Sequence, residues 1–331
     1  DGAAVDETGL TRLAEFQIQN GITGLLAVGT TGESPTLAWQ EHHRVVQIIS
    51  QHAKGKCLCI AGAGSNNTKE ALSATRHAAE AGVDAVLLVD PYYNGPSSLE
   101  IRKEYLAPVA AAFPDLSIIP YIIPGRTGAQ LLPDDLALLF KDYPNVNTVK
   151  EATGDLDNMR RTRQCCGPEF SIFYGDDGLV SEMISDPEIA ATGVISVVSN
   201  IVPRAMSDLV QLLVDKEIDQ AKRLADALRP LFGLVTVKTV EKSPYGDVVC
   251  RARNPLALKT LMQLLGVPSG PCRPPLGKMS RAGLDVVVNI AKTVQSKNPE
   301  ILAPLAAFFN VDIDARLNDE RLLEGLYYPS Y

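Results

Sequence analysis

Lys150 is the residue of this sequence whose setting most strongly suggests chemistry. It ends the apolar, strand-like segment VNTVK, residues 146–150. Burial at such a position lowers an amine's pKa, and a neutral amine can attack a carbonyl carbon to form an imine. The alternative is an ordinary lysine whose head group pairs with Glu151 or Asp155, and position alone does not exclude it.

Three further groups follow other strand-like segments and suit the same chemistry. Tyr121 could move protons during imine formation, and the turn Thr30–Thr31–Gly32 offers hydroxyls and amides to a carboxylate. Arg126 suits a second acidic substrate. Taken singly, the threonines could be helix caps, the tyrosine a core residue and the arginine part of a surface ion pair. Their convergence at one end of a barrel would favour catalysis.

The elements that must position these groups alternate regularly along the chain. Near-continuous apolar runs indicate strands buried on both faces, and intervening helical patterns predict a parallel sheet with right-handed crossovers. The predicted strands are residues 24–29, 57–64, 85–90, 116–123, 146–150, 170–175 and 192–200.

This pattern predicts a (β/α)8 barrel. A helix over residues 10–20 precedes the first of the seven visible strands, so the first barrel strand is expected to be missing from the N-terminus of this sequence. An open doubly wound sheet is the alternative, but AGAGSNN does not fit its GxGxxG phosphate-binding fingerprint. In a barrel, the active site lies at the carboxyl ends of the strands.

The chain is predicted to divide into a barrel, residues 1–215, and a helical domain, residues 216–331. Residues 36–53 are expected to form a helix capped by Ser34 or Thr36. Within the second domain, the polar stretch 236–253 is predicted to be a long loop. The aromatic C-terminal extension LLEGLYYPSY is expected to pack on a neighbouring subunit.

Composition excludes several classes of function. A net charge of −8 argues against nucleic acid and anionic membrane surfaces as partners, and no apolar run is long enough to span a bilayer. The six cysteines lack zinc-site spacing and are predicted to be inert thiols in a reducing cytoplasm. No secretory segment is recognised.

Eight ordered motifs resemble the dihydrodipicolinate synthase / N-acetylneuraminate lyase family of class I aldolases, over residues 1 to about 290. The motifs are GTTGESPTL (29–37), DPYYN (90–94), YIIPGRTG (121–128), VKEATGD (149–155), YGDD (174–177), GVISVVSN (193–200), NPLALKTLMQLLG (254–266) and RPPL (273–276). The arginine motif PGRTG is more similar to the synthases than to the lyases.

The resemblance implies roles for particular residues. Lys150 is expected to form an imine with pyruvate, while Tyr121, Thr31 and Tyr93 form a hydroxyl relay, Tyr93 reaching into a neighbouring subunit's site. The residues that the resemblance assigns to substrate binding are Thr30, Thr31, Arg126, Gly175 and Ile195.

The implied reaction joins pyruvate to L-aspartate 4-semialdehyde, giving 4-hydroxy-tetrahydrodipicolinate for lysine biosynthesis, with no metal or organic cofactor. Arg126 would bind the semialdehyde's carboxylate. The alternatives are another pyruvate-dependent lyase or aldolase of the family, for sugar acids, and a non-catalytic lysine-binding or assembly protein.

The resemblance also implies a homo-oligomer, a dimer of dimers, and L-lysine as a feedback inhibitor at a dimer interface. Glu70 would pair with the ammonium of lysine, although it could simply favour the start of its helix. Trp39 stands where bacterial members often have histidine. The implied pocket comprises Ser34, Pro35, Trp39, His42, Asn66, Glu70 and Tyr92.

Overall fold

The computed structural model describes residues 4–331, in which seven parallel strands form one curled sheet in chain order. Each consecutive pair of strands is hydrogen-bonded in parallel register. The strands are β1 Gly24–Ala27, β2 Leu58–Gly62, β3 Ala85–Val89, β4 Ser117–Ile122, β5 Thr148–Glu151, β6 Ser171–Tyr174 and β7 Gly193–Val194. In residues 4–331, the outer edges of β1 and β7 pair with no further strand, as expected for a barrel whose first strand is missing.

Helices connect the strands and continue beyond β7. Residues 98–112 form one helical stretch with π geometry over Ile101–Leu106. The α-helices are α1 Glu7–Gln19, α2 Trp39–Ala53, α3 Thr68–Glu80, α4 Ser98–Glu100, α5 Ala107–Ala112, α6 Pro124–Thr127, α7 Pro133–Asp142, α8 Leu156–Cys166, α9 Val180–Ser185, α10 Pro203–Val214, α11 Ile218–Phe232, α12 Leu256–Leu264, α13 Arg281–Lys297, α14 Ala303–Phe309 and α15 Ile313–Asn318. No helix formed by the described residues is both long and apolar enough to cross a membrane.

Alternate residues of the central strands enter two different hydrophobic layers. Val86 and Leu88 of β3 pack in the large cluster that the surrounding helices share. Leu87 packs instead with Ile119 and Tyr121 of β4 in a smaller cluster on the other face of the sheet. Burial on both faces explains the continuous apolar runs, and it places Tyr121 on the inner face of the curled sheet.

The start of α2 differs from the sequence-based prediction. Ser34–Thr36 forms a separate 3-10 turn, and Glu33 before it adopts a left-handed conformation with φ of 56°. The helix begins at Trp39, where the Glu41 side chain accepts from the Ala38 amide at 3.1 Å. The caps predicted at Ser34 and Thr36 were therefore wrong.

The stretch predicted as a long loop is an antiparallel hairpin, so that prediction was also wrong. β8 Thr236–Ser243 pairs with β9 Gly246–Arg253, and Gly246 takes a positive φ of 114° at the turn. β-branched residues recur along both strands, which favours extended backbone despite the polar composition.

The last predicted strand, residues 192–200, is shorter in the structure. Only Gly193–Val194 is a strand, and Val198–Asn200 is a 3-10 turn. The chain leaves the sheet because the amides of Val197 and Val198 donate to the Asp177 side chain.

The C-terminal extension packs on its own chain. The Tyr328 amide donates to the Met279 carbonyl at 2.9 Å, and the Arg281 guanidinium lies 5.1 Å from the Tyr327 ring centroid. Packing of this extension on a neighbouring subunit stays a prediction. The domain boundary after residue 215 stays a prediction.

Candidate active site

Lys150 lies at the carboxyl end of β5, in the middle of the sheet. It pairs in register with Tyr121 on β4 and Phe173 on β6. The lysine is only 6% exposed, and its Nζ lies 4.2 Å from the Tyr121 ring centroid. The sequence prediction that this amine is partly desolvated is therefore confirmed.

The surroundings of Lys150 favour the neutral amine. Burial lowers its pKa to about 8, the Asp177 carboxylate opposes this shift, and the positive charge of Arg126 adds to it. In the part of the chain that the structure describes, Lys150 forms no ion pair. Glu151 instead accepts from the Thr153 amide, and Asp155 caps α8, so the alternative of a paired surface lysine was wrong.

Hydroxyl groups from the turn after β1 meet Tyr121 beside the lysine. Burial raises the pKa of the phenol, and the Thr30 side chain opposes this increase. Thr31 lies next along the turn, where its Oγ1 accepts from Asn254 Nδ2 at 3.0 Å. The Thr30 and Tyr121 hydroxyls line the same cavity as the amine, where hydroxyl groups can take part in proton transfer.

Gly175 and Ile195 lie where the sequence placed them, on the wall of the same cavity. The Gly175 amide donates to the Glu151 carbonyl at 2.7 Å, and the Ile195 amide donates to Tyr174 at 2.8 Å. A Cβ on Gly175 would lie 2.9 Å from the Lys150 Cε, so the lysine side chain needs glycine at this position.

Asp177 is a charged neighbour of Lys150 to which the sequence analysis gave no role. It is fully buried, and its Oδ2 accepts from the Val197 and Val198 amides at 2.9 and 3.0 Å. Burial raises its pKa to about 6, and these amides and the Ser196 hydroxyl oppose the increase. The sequence signal that could have pointed to it is the acidic pair Asp176–Asp177 directly after β6. A buried aspartate needs a partner, and Asp177 is the buried member of this pair.

Arg126 stands at the mouth of the cavity, on the short helix α6. Its Nη2 donates to the Asn254 carbonyl at 3.0 Å. Tyr93 is not brought to this cavity: it is 84% exposed, and its amide donates to the Asn66 side chain at 3.0 Å. Its role in a neighbouring subunit stays a prediction.

The residues predicted to bind lysine form smaller local groups. The Trp39 and His42 rings lie 5.1 Å apart, and burial lowers the pKa of His42 to about 4. Asn66 Oδ1 also accepts from the Tyr92 amide at 2.7 Å. Glu70, in the first turn of α3, accepts from the Ser65 hydroxyl at 2.5 Å, and Ser34 and Pro35 lie in the 3-10 turn before α2.

Together these features describe an open cavity of about 1340 Å³ lined by an amine, several hydroxyls and a guanidinium. A buried lysine with a lowered pKa at the carboxyl ends of parallel strands is the arrangement that imine-forming barrel enzymes use. The fold and the site thus define a lysine-nucleophile α/β-barrel enzyme.

The sequence profile of the Dihydrodipicolinate synthetase family matches residues 1–294, and the chain belongs to this family. The 4-hydroxy-tetrahydrodipicolinate synthase of Pelobacter propionicus is 38% identical over 291 residues, covering 87% of this chain and 93% of that protein. The enzyme of the same name from Methanothrix thermoacetophila is 39% identical over 281 residues, covering 85% and 88%.

Solved structures agree with this placement. Dihydrodipicolinate synthase from Aquifex aeolicus superposes with a TM-score of 0.81 at 33% identity, covering 91% of this chain and 95% of that one. The enzyme from Cyanidioschyzon merolae, solved with lysine bound, gives 0.80 at 32% identity, covering 88% and 93%.

Replacing Gly175 by alanine tests the packing around the amine. The new Cβ would displace the Lys150 Cε, and a misplacement of about 1 Å can slow a reaction about a hundredfold. We expect much slower trapping of pyruvate by borohydride, measured by mass spectrometry. Gly178→Ala is the matched control, because its Cβ would meet nothing closer than 3.6 Å. Equal trapping rates in the two variants would contradict the prediction.

Replacing Asp177 by asparagine tests the charge that opposes amine deprotonation. Imine formation should rise with pH through about 8, as the ammonium loses its proton. Without the carboxylate the ammonium is less stable, so the midpoint should move to lower pH. The measurement is the initial trapping rate with pyruvate and cyanoborohydride across this range. Asp176→Asn should keep the midpoint near 8, and an upward shift in Asp177→Asn would refute the assignment.

Proposed function

We propose that this protein condenses pyruvate with L-aspartate 4-semialdehyde to form 4-hydroxy-tetrahydrodipicolinate, through an imine on Lys150. The observation that carries the proposal is the buried Lys150 amine, whose pKa of about 8 leaves a useful neutral fraction near neutral pH. The names of the relatives support the choice of substrates.

The chemistry follows from the positions of the side chains. Lys150 Nζ attacks the keto carbon of pyruvate, and water leaves as the imine forms. Loss of a methyl proton gives an enamine, whose carbon bonds to the aldehyde carbon of the second substrate. The amine of that substrate then attacks the imine carbon, which closes the ring and releases Lys150. The Thr30 and Tyr121 hydroxyls, which line the cavity with Lys150, would move the protons.

We assign the two ends of the cavity to the two substrates. The turn containing Thr30 and Thr31 would hold the pyruvate carboxylate, next to the amine. Arg126 at the mouth would bind the carboxylate of the semialdehyde. The amine itself provides the covalent catalysis, so the proposed mechanism uses no metal or organic cofactor.

We also propose that the protein assembles as a dimer of dimers and is located in the cytoplasm. A dimer of dimers would give the exposed Tyr93 a partner site to enter. A cytoplasmic location suits the six cysteines, none of which forms a disulfide in the described part of the chain that contains them all.

The function is tested by trapping and by substrate choice. Pyruvate with borohydride should add one reduced pyruvate at Lys150, and Lys150→Arg should prevent this. Arg126→Ala should raise the KM for aspartate semialdehyde about ten- to hundredfold, the effect of a lost charge-assisted hydrogen bond, while pyruvate is still trapped on Lys150. Trapping on Lys150 without turnover of the semialdehyde would favour another pyruvate aldolase, and absence of trapping would favour a non-catalytic role.

We also propose that L-lysine binds near Glu70, Asn66 and Tyr92. The lysine-bound relative from Cyanidioschyzon merolae supports such a site in the family. Glu70 has a competing role, because its carboxylate accepts from Ser65 within the first turn of α3. Trp39 adds an aromatic wall next to His42.

Calorimetry tests the lysine site. L-lysine should release heat on binding and inhibit the condensation, and Glu70→Gln should weaken binding about tenfold or more through loss of a charged partner. Glu80→Gln, an exposed change at the other end of α3, is the matched control. No heat at millimolar L-lysine would dispose of the proposal.

A further inference from the structure

Two arginines from distant parts of the sequence each donate a hydrogen bond to the backbone carbonyl of the residue next to the other, at the mouth of the cavity. Arg126 Nη2 donates to the Asn254 carbonyl at 3.0 Å. In return, Arg253 Nη1 donates to the Gly125 carbonyl at 3.1 Å. The crossed bonds hold the guanidinium-bearing ends of α6 and β9 side by side.

The positions of both arginines are fixed by the protein around them. Arg253 is the last residue of β9, and the next residue, Asn254, is buried and bonded to Thr31. The Asn254 amide also donates to the Val235 carbonyl, just before β8. These hydrogen bonds connect the end of the hairpin to the turn that contains Thr31, which we assign to pyruvate binding.

Neither guanidinium is paired with a counter-ion among the described residues. Among residues 4–331, no carboxylate lies within 4.0 Å of Arg126 or Arg253. The nearby Asp176 uses its Oδ1 to accept from the Gly178 amide. Both arginines line the cavity that contains Lys150.

The two positive charges act on each other. Burial lowers the pKa of Arg126, and the charges of Arg253 and, to a smaller extent, Arg251 lower it further. Tyr121 and Asp176 oppose the shift. Two like charges held together are unfavourable unless an anion lies between them. Each guanidinium makes one hydrogen bond among the described residues, so most of its N–H groups are free for such an anion.

We propose that Arg253 binds the acceptor substrate together with Arg126, the two guanidiniums clamping one carboxylate of the aldehyde. This assignment rests on the proposed function for the identity of the aldehyde. It makes the hairpin a substrate-binding element, and it places the carboxylate at the mouth while Lys150 holds pyruvate further inside. Planar guanidiniums suit this task because each presents parallel N–H groups to a carboxylate.

A purely structural role for Arg253 is the competing explanation. Its bond to Gly125 could simply anchor the hairpin against α6. That role predicts a loss of stability or of kcat in Arg253 variants, with no selective effect on one substrate. A specific change in the KM of the aldehyde separates the two explanations.

The test compares Arg253→Ala with Arg251→Ala. Arg251 lies two residues earlier on β9 and carries the same charge, but it is exposed and outside the cavity lining. Arg253→Ala should raise the KM for aspartate semialdehyde about ten- to hundredfold, the effect of losing a charge-assisted hydrogen bond. The KM for pyruvate and borohydride trapping on Lys150 should stay unchanged, and Arg251→Ala should change the aldehyde's KM by less than about threefold.

Two further measurements keep the result interpretable. Arg253→Lys retains the charge without the planar fork, so it should recover part of the affinity if the carboxylate is bound there. Thermal melting shows whether each variant is folded. If Arg253→Ala is unfolded, the KM for the aldehyde is measured with Arg253→Lys instead. An unchanged aldehyde KM in either folded variant would overturn the clamp.

Calorimetry with glutarate separates this inference from the proposed function. Glutarate, a dicarboxylate probe, should bind the parent protein at saturating pyruvate and bind Arg253→Ala about tenfold or more weakly. If the parent fails to turn over aspartate semialdehyde but shows this Arg253-dependent binding, the proposed function fails and the clamp stands. If the parent protein turns over aspartate semialdehyde, but Arg253→Ala changes neither the KM for the aldehyde nor the binding of glutarate, only the clamp fails.

Discussion

The structure depends on keeping one amine, that of Lys150, out of water. Lowering its pKa from 10.5 to about 8 corresponds to about 3 kcal/mol of lost stabilisation for the ammonium. The sheet supplies this by surrounding the lysine with Tyr121 and Phe173 on the adjacent strands. Asp177 limits the shift, so the amine is neutral often enough to react while it can still carry a proton.

Holding Asp177 beside the lysine changes the local fold. Its carboxylate accepts hydrogen bonds from the amides of Val197 and Val198, so these amides are not used to extend β7 as a strand. The chain turns away after Gly193–Val194, and Ile195 lines the cavity. A buried acid thus determines both the charge around the amine and the end of the last strand.

The active site is completed from outside the barrel. Asn254, after the hairpin, bonds to Thr31 on one side and accepts from Arg126 on the other. Nearby, the buried Glu33 pairs with Lys259 of α12 and accepts from the Arg273 amide. These long-range bonds join the helical region to the turn after β1, so the two predicted domains share the construction of one site.

The sequence alone determined the parallel strand order, because burial on both faces of a sheet produces long apolar runs. It also determined the positions of Lys150 and Tyr121, because the active site of a barrel lies at the carboxyl ends of its strands. It also located the arginine motif containing Arg126. It did not reveal the hairpin, whose polar strands are held mainly by pairing with each other. Only the tertiary structure brought Asp177 and Arg253 to the site, because contacts between residues far apart in sequence leave no local periodicity to read.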